Sequence, residues 1–212
     1  MQLLESLKWR YAVKKYDTSK KVTQQNIDYI KEAVRLAASS YGLQPYKILE
    51  IKSPALREKL KPLSWNQAQI TEASHLFVFC NAIAVSDEDV EESIELRAKI
   101  KEIEIEKIAG YGDFVKGKLH EKSLEELFHW SAKQAYIGLA TAMNACAELR
   151  IDTTPMEGFE AKDVNELLGL QEKGLNASVM LAIGYRHADD AAQKSKKFRK
   201  SLDTMFQEIY MF

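Results

Sequence analysis

The apolar positions of the chain follow two periods. Over residues 24–38, "QQNIDYIKEAVRLAA", Ile27, Ile30, Ala33, Val34 and Ala37 recur every three or four residues, which predicts one buried helical face. A short helix is expected over 2–9. "SPALREKLKP", 53–62, predicts another, with Ser53 as N-cap and proline at the first helical position. "YKILEIK", 46–52, alternates as a strand. "HLFVFCNAIA", 75–84, is continuously apolar and predicts a strand buried on both faces, as does "ASVMLAIGYR", 177–186. Residues 87–109 are densely charged around Ile94, Ile100, Ile103 and Ile108, the pattern of a solvated helix with one apolar side. "GYGDFVKGK", 110–118, has three glycines and is expected to be a loop. The longest helical pattern, 123–149, is followed by "RIDTTPMEGF", expected to be a short shaped loop.

Helices outnumber strands, so the pattern predicts a helix-rich α+β domain. No repeat, low-complexity tract or linker divides the chain, which reads as a single domain over 1–212. Within 123–149, Ala132, Ala135, Gly138, Ala142 and Ala145 recur at spacings of three and four. Small residues so placed let another helix approach closely, either within the chain or from a symmetry mate.

Composition narrows the function. Of 212 residues 46% are hydrophobic and 29% charged, a soluble globular balance. A net charge of -1 gives no global field for nucleic acid. Cys80 and Cys146 lie in apolar stretches and read as buried free thiols. The four histidines have no metal-ligand spacing, so no metal site is expected. No window reaches the length of a membrane span, and "MQLLESLKWRYAVKKYD" lacks a signal-peptide core; a cytoplasmic protein is expected.

No nucleophile elbow, P-loop or GxGxxG is present. Two basic clusters stand near the ends: "RYAVKKYD", with Arg10, Lys14 and Lys15, and "KSKKFRK", with Lys197 and Arg199. Converging, they would hold a phosphate monoester; taken singly, each reads more simply as a solvated face. Ser39, Ser40 and Gln44 in "AASSYGLQPYKI" could line a polar ligand or only cap a turn. Asn66 and Gln134 are amides that need partners if buried. The 150–159 segment either turns a corner or presents the backbone of Glu157 and Gly158 to a ligand.

In order along nearly the whole chain, "RYAVKKYD", "SSYGLQP", "WNQAQITEASHLFVFC", "HWSAKQAY", "TTPMEGF", "GLQEKG", "VMLAIGYR" and "KKFRK" resemble the FMN-dependent nitroreductase family, in its oxygen-insensitive NAD(P)H nitroreductase and flavin reductase branch. The resemblance implies a helix-rich α+β fold with a central, mostly antiparallel sheet. It also implies an intertwined homodimer with FMN held non-covalently at each interface site, and a tail from about 201 to 212 lying over the partner. Arg10, Lys197 and Arg199 match the phosphate ligands, with Tyr11 and Ala12 beside them. Ala12 stands where serine is common, so one hydroxyl is lost. Lys14 matches the lysine that tunes the flavin at its pyrimidine edge, and Gln69 replaces a second lysine found there in some relatives. Asn66 and Gln134 match amides at the ring edge and ribityl chain, and Ser39, Ser40 and Gln44 would arrive from the partner. Pro155, Met156, Glu157 and Gly158 match the segment beside the ring, where backbone N–H groups rather than the Glu157 carboxylate face the flavin. Tyr41, Leu43 and Phe114 would line the substrate pocket.

The implied activity is two-electron, ping-pong reduction of nitroaromatics, quinones or free flavins by NADH or NADPH, with hydride passing through flavin N5 and no acid–base residue. Dihydropteridine or enone reduction and dehalogenation on the same scaffold, and a non-catalytic flavin-binding or interaction protein, are the alternatives.

Overall fold

The two most apolar runs become neighbouring central strands. In the computed structural model, which describes residues 2–210, β2 (His75–Ala82) pairs with β4 (Leu175–Gly184). β1 (Tyr46–Glu50) and β3 (Asp152–Met156) flank them in the order β1-β2-β4-β3, with every pairing antiparallel. Val78 faces Met180 and Phe77 faces Leu181 across the centre, and a bulge follows Phe79. Successive side chains enter opposite layers. Leu76, Val78, Met180 and Ala182 pack with Leu60 of α3 (Pro54–Leu63) and Val164 of α8 (Ala161–Leu168). Phe77, Phe79, Val179 and Leu181 pack with α2 (Gln24–Arg35) and α7 (Leu124–Glu148). A sheet covered on both faces has no polar side, which explains the unbroken apolar runs.

Local signals set the helix ends. Ser53 accepts from Leu56 N with Pro54 in the first turn, and Ser123 forms a capping box with Glu126 at the start of α7. The small-residue stripe of α7 serves a close intrachain crossing, with Ala135, Ala142 and Ala145 buried with Ile27, Ile30 and Val34 of α2.

Three expectations are corrected. The charged segment ends early: α5 spans Asp87–Lys101 and stops at Glu102 in the left-handed region. The expected glycine loop is helical, inside α6 (Glu106–His120). Ile108, Gly112, Val115 and Leu119 keep a three-or-four spacing that faces α5. A Cβ on Gly112 would lie 3.0 Å from Ile94 Cγ1, so this glycine allows helix contact rather than a turn. Half of the expected loop 150–159 is edge strand, β3. Pro155 is tolerated there because an edge position need not donate a ladder hydrogen bond.

The short α1 (Gln2–Trp9), α4 (Gln69–Glu72) and α9 (Leu202–Met205) complete the order. The tail beyond Phe198 is exposed, apolar Leu202, Phe206 and Ile209 included; 211–212 of the expected partner-covering tail lie outside the described residues.

Candidate functional site

After α1 the chain is stitched to the sheet: Ala12 bridges Thr153 of β3, and Tyr16 bridges Arg186 just past β4. The segment after β4 then folds back over it. The Tyr11 hydroxyl and the Lys14 backbone N–H both donate to Asp190, each at 3.0 Å. The Lys197 ammonium donates to the carbonyls of Leu7, Lys8 (3.0 Å) and Arg10 (2.5 Å), at the C-terminal end of α1 where a cation is favoured. These ties bring the two ends of the chain together at one cleft of about 430 Å³, lined by Trp9, Arg10, Tyr11, Ala12, Arg186, Lys197 and Arg199.

Within this cleft Arg10 is partly buried, and its Nε has no hydrogen-bond partner among the described residues. Burial, and then the nearby Arg199, hold its pKa below the ordinary arginine value. Lys197 is lowered likewise, by burial and by the two arginines. An unmet buried donor is costly, and gathered cations repel, so the arrangement fits an anion with several acceptor oxygens.

One structural pair escaped the sequence reading. Asp152 is 3% exposed and accepts from Arg186 Nε at 2.9 Å, Nη2 at 2.5 Å and backbone N at 2.9 Å. The Arg186 guanidinium lies 4.4 Å from the Trp9 ring centre and 4.5 Å from that of Tyr11. Burial opposes its charge, but the bond to Asp152 outweighs that and raises its pKa. Arg186 is thus neutralised and braces the aromatic wall formed by Trp9 and Tyr11. The partners are 34 positions apart, with no local motif to link them.

Next to this cleft, Thr154 Oγ1 and Gln69 Nε2 both donate to the Val13 carbonyl, at 2.6 and 3.4 Å. Gln69 is buried and Lys14 is exposed. Asn66 and Trp65 both have positive φ, 55° and 52°. Met156 is buried at the end of β3, beside Pro155. A Cβ on Gly158 would lie 2.6 Å from Trp65 Cε3, so this glycine makes room for the Trp65 ring. Its carbonyl accepts from Gln67 Nε2 at 2.9 Å. The Glu157 carboxylate accepts from the Tyr136 hydroxyl at 2.5 Å; burial and this bond raise the tyrosine pKa.

Ser39, Ser40, Gln44 and Gln134 form a separate group. Gln134 accepts from Ser40 N at 2.8 Å and donates to the Trp130 carbonyl at 3.0 Å, which leaves one N–H and one lone pair of its amide unused among the described residues. Ser39 Oγ accepts from Gln44 N at 2.9 Å. Tyr41, at φ 57°, meets Trp130 at 6.2 Å and Phe114 at 6.5 Å between ring centres, and Leu43 packs on the same cluster. The three expected pocket residues therefore come together, with Phe114 reaching out from a helix. Among the described residues no hydrogen bond joins Ser39, Ser40 or Gln44 to the Arg10 cleft. No cluster of metal-binding side chains occurs among them, and no helix is long and apolar enough to cross a membrane.

YfkO of Bacillus subtilis, an NAD(P)H nitroreductase by name, is 35% identical over 199 residues, covering 89% of this chain and 90% of its own. The major NAD(P)H-flavin oxidoreductase of Aliivibrio fischeri is 33% identical, covering 95% of each. A protein of Exiguobacterium sibiricum solved in complex with FMN superposes with a TM-score of 0.83 at 19% identity, over 98% of this chain and 97% of that one. The model of the Nitroreductase family matches residues 7–185, and the chain belongs to that family.

Proposed function

We propose that the protein is an FMN-dependent NAD(P)H oxidoreductase that reduces nitroaromatics, quinones or free flavins. The observation that carries this reading is the Arg10 cleft, where an unpartnered buried guanidinium nitrogen and Arg199 converge beside β3. That donor set fits the terminal phosphate of FMN. Bound there, FMN would supply two-electron hydride chemistry, which the side chains need not provide.

The residues then divide the work. Arg10 and Arg199 hold phosphate. Lys197 anchors the end of α1 and adds positive field. Tyr11 and Ala12 flank the ribityl chain, and the missing Ala12 hydroxyl leaves only backbone to bond there. Asn66, Gln69 and Lys14 would hold the polar edge of a bound flavin, and Pro155–Gly158 would lie beside it. The Glu157 carboxylate is engaged by Tyr136, which supports a main-chain role for this residue. Nicotinamide and oxidant would share one face of the bound flavin in turn, in keeping with the absence of a dinucleotide-binding motif in the sequence.

A homodimer belongs to the same proposal. Two features support it: the Ser39–Gln134 group is not joined to the Arg10 cleft within one chain, and the tail exposes Leu202, Phe206, Ile209 and Tyr210. A second copy would complete each site and cover the tail.

The test is direct. Purified protein should be yellow, bleach anaerobically with NADH or NADPH, and recover its colour with a nitroaromatic, a quinone or free flavin. A colourless protein that takes up no added FMN would reject the cofactor. A yellow protein that neither nucleotide bleaches would be a flavin carrier.

A further inference from the structure

Arg97 of α5 has no assigned role, yet it joins the two segments that carry the pocket aromatics. Its Nη2 donates to the Tyr41 carbonyl at 2.9 Å. Its guanidinium carbon lies 4.6 Å from the centre of the Tyr111 ring, and Tyr111 in turn lies 6.3 Å from Phe114 on the same helix. Among the described residues Arg97 makes no ion pair, so its planar fork is committed to one carbonyl and one ring face.

The carbonyl it holds belongs to a strained residue. Tyr41 sits at φ 57°, a region bulky side chains rarely adopt, and Gly42 follows at φ 74°. The turn is closed by Gly42 N to Ser39 O at 3.0 Å, Leu43 N to Ser40 O at 3.2 Å and Gln44 N to Ser39 Oγ at 2.9 Å, none of which engages the Tyr41 carbonyl. A Cβ on Gly42 would come within 3.2 Å of Arg97 Nη2, so the guanidinium is packed directly against the turn. A strained conformation persists only where its surroundings hold it. Arg97 supplies that hold while its other contact fixes α6.

We propose that Arg97 is a positioning residue that sets how Tyr41 is placed against Phe114, and thereby the breadth of the planar aromatic oxidant that this aromatic wall admits. This rests on the function proposed above, in which those rings line the oxidant pocket. The clamp itself does not need FMN.

Two measurements test it. Amide hydrogen exchange on the FMN-free protein should show Gly42 and Leu43 exchanging about tenfold or more faster in Arg97→Met, the loss expected when a charge-assisted bond is removed. Arg97→Lys should fall between, because lysine can reach a carbonyl but cannot lay a planar fork across Tyr111. With FMN bound, KM for a broad acceptor, riboflavin, should shift several-fold in Arg97→Met, and KM for a narrow one, 1,4-benzoquinone, should shift less than about twofold. If Arg97→Met does not fold, Arg97→Gln, which shortens the side chain and loses the stacked plane while leaving the Tyr111–Phe114 contact in place, should give the same selective shift. Unchanged exchange, or equal changes in both KM values, overturns the proposal. Wild-type protein that reduces neither acceptor would instead reject the functional reading, and the exchange experiment would still decide the clamp.

Discussion

Replacing Arg10 with methionine should move two quantities in opposite directions. In the ligand-free protein Arg10 is a burden: its Nε lacks a partner, and both burial and Arg199 disfavour its charge. An unsatisfied buried donor costs about 1–3 kcal/mol. Arg10 is only partly buried, which puts the relief near the lower end, about 1 kcal/mol. Methionine keeps comparable bulk, and the backbone bond from Arg10 N to Ser6 O at 3.0 Å is untouched. Urea unfolding of FMN-free Arg10→Met should therefore show equal or higher stability. Binding should change the other way. Hydrogen bonds to charged groups contribute about 1.5–3 kcal/mol, so the FMN Kd should rise about 10- to 150-fold. Riboflavin has no phosphate, and its Kd should change far less. Fluorescence titration of both flavins gives the comparison. A variant destabilised by more than about 1 kcal/mol would make Arg10 structural. Equal weakening of FMN and riboflavin would remove phosphate from its role.

Other outcomes follow from neighbouring geometry. Asp152→Asn should destabilise the protein by about 3 kcal/mol in urea unfolding, because it strands the Arg186 charge; adding Arg186→Met should recover part of the loss, and strict additivity would contradict a coupled pair. His75 is held below its ordinary pKa of 6.5, first by burial, with Glu50 opposing. The folded state thus binds fewer protons, so its contribution is present above pH 6.5 and is lost as pH falls toward the lowered value. Unfolding midpoints at pH 7.5 and 5.5 should differ less in His75→Asn than in wild type, and an identical pH slope would exclude His75 as the cause. Glu157→Gln should retain most activity, since glutamine can still accept from Tyr136; an inactive variant with FMN still bound would restore the carboxylate to the mechanism. Gly158→Val should displace Trp65 and weaken FMN binding, which tryptophan fluorescence and flavin titration would report together. Gln69→Lys should raise the flavin reduction potential if the new cation stays charged near the ring; an unchanged or lower potential would count against that placement.

Periodic and local features were legible in the chain by itself. The apolar runs of β2 and β4, the stripe of α2, and the serine caps at Ser53 and Ser123 each express a rule that acts within a few residues. The ordered motifs were enough to indicate the family and the two basic clusters. Tertiary structure decided what those rules leave open. Glycines at 110, 112 and 117 suggested a loop, but apolar contacts with α5 hold the segment as a helix and make Gly112 a packing residue. Gly158 is small because of Trp65, 93 positions away in sequence. Asp152 and Arg186, Lys197 and the end of α1, and Arg97 and Tyr41 are paired only because the sheet and its helices bring distant segments together. Backbone propensity and hydrophobic period act locally, whereas hydrogen bonds and buried charges select partners in space. The elements were therefore readable from the sequence, and the partners of the site residues were not.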